Sequence, residues 1–138
     1  HIMVLTEMIH DARIIRINDD HLPFNIPQWM GDSVASWEED TLVVHSINFR
    51  PEQSSSRTIT ISEEFELTER YTLVSDNEIL YEFTVVDNKA YKQPFSGQRI
   101  LTRNRPDERV YEYACHEGNY SLPGILAGAR RLESENSN

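Results

Sequence analysis

The chain has 138 residues, enough for one domain with a single buried core, and 23 acidic against 13 basic residues give it a formal charge of −10. That balance excludes the basic stripe of a nucleic-acid surface and argues against docking on an anionic membrane. One cysteine, Cys115, excludes an internal disulfide, and no apolar run approaches the ~18 residues of a membrane helix.

In chain order, His1-Ile2-Met3 reads as a cloning remnant followed by a start, which sets the domain at 4–133 and leaves a polar tail at 134–138. Val4-Leu5 begins in the middle of an apolar pattern, as if an upstream part of a longer protein were missing. Val4 to Ile9 reads as a strand, and Ala12 to Ile17 returns with β-branched residues. His21 to Pro27 carries two prolines, which cannot donate to a ladder, so it is a connector laid across one end of the sheet. His21 there is expected to be a solvated loop residue.

Val34 to Trp37 and Thr41 to Phe49 flank the acidic turn Glu38-Glu39-Asp40, with His45 on the face shared by Val43 and Ile47. From Thr58 to Val74, Phe65, Leu67, Tyr71 and Leu73 point one way and Glu64, Glu66, Thr68, Arg70 and Thr72 the other. Ser75-Asp76-Asn77-Glu78 turns that strand into Ile79 to Val86, the clearest hairpin in the chain. Gln98 to Arg103 and Val110 to Cys115 complete about eight strands. Leu122, Ile125, Leu126 and Ala129 then switch to helical spacing behind Ser121, with Pro123 inside the first turn. No β-α alternation occurs, so the expected fold is mainly β: an antiparallel, lipocalin- or calycin-like barrel with a closing C-terminal helix, or alternatively a two-sheet sandwich.

The chemically capable residues gather at Tyr111 to Tyr120, which holds Cys115, His116 and Glu117. Histidine titrates near neutrality, so His10, His116 and Glu117 are the candidate acid–base set. Glu7 and Arg13 stand three residues either side of His10, and His45 is expected to point into the barrel. With Trp29, Trp37, Tyr81, Tyr113 and Asn119 they form the candidate ligand-binding wall. The histidines have no HxH or HxxxH spacing, so no metal or other cofactor is expected. Cys115 and His116 would face opposite sides of a strand, which leaves Cys115 a small hydrophobe rather than a nucleophile. Neither a G-x-S-x-G elbow nor a phosphate-cradling glycine loop is present.

Glu7 to Arg13, Trp29-Met30-Gly31-Asp32-Ser33, Trp37 to Val44, Asn48-Phe49 and Tyr113 to Tyr120 together resemble a family of bacterial proteins, many exported, with no assigned activity. The usual pattern is Trp-Glu-Gly-Asp-Thr-Leu-Val-Val followed by an acid; here Glu39 stands for the glycine and His45 for the acid. The resemblance implies His10, Arg13, Trp29, Asp32, Trp37, Asp40, His116, Glu117 and Asn119 as motif positions. It also implies periplasmic or secreted residence, with a cytoplasmic one still open. The functional expectation is a β-barrel, alone or as a homodimer, holding a small apolar or aromatic molecule. The alternatives are a metal-independent isomerase, lyase or cyclase on the same scaffold, and a non-catalytic interaction module of a longer protein.

Overall fold

The computed structural model describes residues 1–23, 26–54 and 59–136. Among them are seven strands and one helix: β1 (Ile2–Leu5), β2 (Ala12–Ile17), β3 (Asp32–Glu38), β4 (Thr41–Ile47), β5 (Glu66–Ser75), β6 (Glu78–Val86), β7 (Phe95–Thr102) and α1 (Ser121–Asn136). The strands form one sheet in sequence order, curled into a half-barrel. A mainly β, barrel-like fold with a C-terminal helix is therefore correct.

Several details differ from the sequence reading. Ile2 and Met3, placed outside the domain by composition, are strand residues paired with Ile15 and Ile14. The first strand ends at Leu5 because Thr6 to Asp11 closes a tight loop, Thr6 N–H donating to the Asp11 carbonyl at 2.8 Å. Ile9 and His10 adopt left-handed φ of 62° and 59° there. β2 and β3 run parallel, through a crossover that contains both prolines, so the sheet is not wholly antiparallel. The fifth strand begins at Glu66; Thr58 lies outside the described residues, and the chain from 59 to 65 is a loop. Val110 to Cys115 alternates like a strand but joins no ladder among the described residues, whose sheet has seven strands.

Side-by-side pairing in the ladders assigns the two faces. Val4, Arg13, Ile15, Ala35, Leu42, Val44, Glu69, Tyr71, Tyr81, Phe83 and Val85 share the inner one. Small residues let the sheet curl: Ser33, Ala35, Ser46 and Gly97 face inward, and a Cβ at Gly97 would stand 2.6 Å from the Phe83 ring. Two apolar clusters divide this face. One holds Ile15, Ala35, Leu42 and Val44 with Ile2, Val4 and Tyr71 against it, and the other holds Phe49, Ile61, Phe65 and Val85.

After β7 the chain leaves the sheet. Arg103 N–H donates to the Asn77 carbonyl at 2.8 Å, and Val110, Tyr111 and Glu112 then pass the Leu5–His10 loop. α1 does not close the barrel as expected; it buries no residue, and Leu122, Ile125 and Leu132 of its apolar stripe are exposed.

Candidate functional site

The inner face is treated differently at its two ends. At one end the loop at 59–65 folds in as a plug. Phe65 meets Phe49 edge-on with ring centroids 5.1 Å apart, and Ile61 packs beside them. Asp87 holds the plug down, accepting from Ser62 N–H at 2.8 Å, Ser62 Oγ–H at 2.7 Å and the N–H groups of Lys89 and Ala90. Burial alone would raise the Asp87 pKa, but these four donors outweigh it and hold the carboxyl below its ordinary value.

The other end is open. Ile2, Val4, Ile15, Trp37, Leu42, Tyr71, Leu73 and Ile79, with the turn residues Glu39 and Asp40, line a cleft of about 700 Å³. Strands β1 to β6 all reach it, and the free edges of the half-barrel leave it accessible. Its walls are aliphatic and aromatic, yet Trp37 is 56% and Leu73 60% exposed. Burying such side chains is worth about 1.5–3 kcal/mol each, so leaving them in water is costly unless something covers them.

Beside the cleft runs a buried polar network. Arg13 reaches Glu69 through two hydrogen bonds, at 2.5 and 3.0 Å. β2 and β5 lie three strand spacings apart, ~14 Å in a flat sheet, so this contact exists because the sheet curls. Tyr71 and Tyr81 both donate to Glu69 Oε1, at 2.9 and 3.0 Å. Burial and the Glu69 charge push both phenols far above their ordinary pKa. Arg13 and Glu69 thus satisfy each other, and of the network only Tyr71 extends into the cleft wall.

The outer face carries a second chain of polar contacts. Asp32, 2% exposed, accepts from Arg16 Nη1 at 2.6 Å, from Leu22 N–H at 2.8 Å and from His21 Nδ1 at 2.9 Å. Burial would raise its pKa, but these donors outweigh it and lower it. His21 Nε2 lies 3.0 Å from His45 Nδ1, and His45 Nε2 is 3.7 Å from Glu66. His21 is therefore not the solvated residue expected, and His45 points to the outer face rather than into the barrel. Together they fasten the β2–β3 crossover to the sheet.

The sequence candidates separate accordingly. Trp37 lines the cleft, while Arg13 and Tyr81 belong to the network beside it. His10 and Tyr113 meet edge-on, 6.4 Å between centroids, and Glu7 shares a shallow surface groove with Tyr111 and Glu112. Trp29 lies in another groove, with Arg16, Gln28 and Asp32. His116 and Glu117 sit in an exposed turn, away from the cleft lining. Asn119 Oδ1 accepts from Ser121 N–H and Oγ–H at 3.1 and 2.8 Å, which caps the start of α1. Cys115 is exposed rather than core. Glu69 was not among the candidates, although its position between Leu67 and Tyr71 marks it as inward-facing.

No described group of three or more His, Cys, Asp or Glu side chains is arranged to hold a metal ion. No described helix is long and apolar enough to cross a membrane. No family model, curated protein or solved structure matches the chain.

Proposed function

We propose that this protein binds a small apolar or aromatic molecule in the open end of its half-barrel. The observation that carries this reading is the cleft of about 700 Å³, whose apolar wall is left uncovered on a surface that the chain plugs at its other end. Its size falls within the ~300–1,000 Å³ of sites that enclose small ligands. Trp37 and Tyr71 offer flat faces for an aromatic ring. The Arg13–Glu69 pair keeps the curl that brings β1 and β2 over β5.

The test is a titration of the purified protein with 1-aminoanthracene, an uncharged aromatic dye, followed by its fluorescence. Saturable binding at one site is expected, with loss of at least tenfold in affinity in Leu73→Asp, which puts a charge on the wall at an already exposed position. Unsaturable binding, or equal affinity in that variant, would reject the cleft as the site. Native mass spectrometry of protein purified from cells would show whether a ligand is retained.

A further inference from the structure

The charges around the cleft point to the class of molecule it takes. Glu39 and Asp40, the two residues of the β3–β4 turn, are the only charged residues of its lining among the described residues, and both are acidic. Neither carboxylate has a hydrogen-bond or ion-pair partner among the described residues. Arg70, which reaches the residue just before this turn, is already engaged there by Glu38 at 2.9 Å. Two uncompensated carboxylates thus stand at the rim of an apolar, aromatic cavity, on a chain whose net charge of −10 attracts cations and repels anions.

We infer that the ligand of this cleft is a cation with an apolar or aromatic body, an amine rather than a neutral or acidic compound. The body would replace water against Ile2, Val4, Ile15 and Leu42. The ammonium would stay at the mouth, within reach of Glu39 and Asp40. Trp37 is the last but one residue of the strand that enters the turn, and its ring gives the same ammonium an electron-rich face. An anion of the same shape would meet only like charge at the rim. This inference rests on the cleft being the binding site, and the experiment separates the two claims.

Three probes share one body and differ in charge: 1-naphthylmethylammonium, 1-naphthalenemethanol and 1-naphthylacetate. Isothermal titration calorimetry on the full chain should rank them in that order, the ammonium binding about tenfold more tightly than the alcohol. The ammonium's advantage should shrink as salt is raised, while the alcohol's affinity holds. In the double variant Glu39→Gln, Asp40→Asn the alcohol should bind as before and the ammonium should lose its advantage. Circular dichroism would confirm that this variant is folded. Equal binding of all three probes would leave the cleft intact and overturn the cation assignment, as would an unchanged preference in the double variant. Failure of all three to bind would overturn the cleft itself.

Discussion

The two ends of the inner face are built on the same strands and finished differently. At one, residues 59–65 fold inward, and Ile61 and Phe65 are buried to 8% and 4% exposure. At the other, Trp37 and Leu73 stand more than half exposed above an equally apolar wall. A plugged end contributes to stability, whereas an unplugged end holds surface that only a partner molecule can cover. The difference predicts that mutations at the two ends will separate stability from binding.

The largest effect is expected at the plug. Phe65→Ala removes a buried ring packed on Phe49 and leaves a cavity, which should cost about 3–5 kcal/mol in urea unfolding. Leu73→Ala at the open end should cost less than about 1 kcal/mol. It should weaken aromatic-probe binding severalfold. If the two variants lose stability equally, the open end is core rather than site.

Arg13→Met tests the pair that holds the ends at their spacing. Removing one partner strands a buried carboxylate, and the expected loss is about 3–5 kcal/mol. The double variant Arg13→Met, Glu69→Leu should be more stable than Arg13→Met alone, because no charge is then left unpaired. Probe binding should still be weakened in the double variant if the pair sets the curl. Unaltered binding would mean that the backbone curls without it.

Much of this was readable in the sequence, and the failures have physical causes. The hairpins β3–β4 and β5–β6 follow from two-residue periodicity around polar turns, and both turns lie where that reading puts them, although β5 begins only at Glu66. The same periodicity misplaces Val110 to Cys115, because alternation reports how a segment would fit a sheet and not whether a neighbour strand exists. Glu69 sits on the inward parity between Leu67 and Tyr71, so its burial was visible locally. What could not be seen was a partner 56 residues earlier that makes the burial tolerable. His21 was misread for the same reason: its surroundings in sequence are loop-like, and Asp32 and His45 are supplied by other elements. The cleft belongs to this class of feature, since six strands must curl before its wall exists.

A smaller, pH-dependent effect is expected from the latch on the plug. The Asp87 pKa is lowered from its ordinary 3.8 in the folded protein, so the unfolded chain takes up a proton first as pH falls. The stabilisation is complete well above pH 3.8 and is lost as pH drops through the lower folded value. Asp87→Asn should remove about 1–3 kcal/mol at pH 7 and flatten the acid limb of the stability profile. Asp32 is also lowered in the folded protein and will leave a residual slope in that variant. An acid limb unchanged by Asp87→Asn would show that the plug is held by packing alone.

The smallest effect concerns the cleft mouth. Glu39 adopts φ 52° in the two-residue turn between Glu38 and Thr41, a left-handed conformation that costs a side chain ~1–2 kcal/mol. Glycine is free of that strain but loses more backbone entropy on folding, by roughly 0.5–1 kcal/mol. The difference leaves Glu39→Gly more stable than the natural chain by about 0.5 kcal/mol, a shift readable in the thermal midpoint. Glu39→Gln keeps the strain and removes the charge, so its midpoint should not rise. Both variants should lose part of the preference for an ammonium probe over its neutral analogue. A side chain retained at a position that glycine would suit better fits a carboxylate used at the mouth. If Glu39→Gly gains stability and keeps the full preference, Asp40 alone supplies the charge, and the strain at Glu39 has no part in binding.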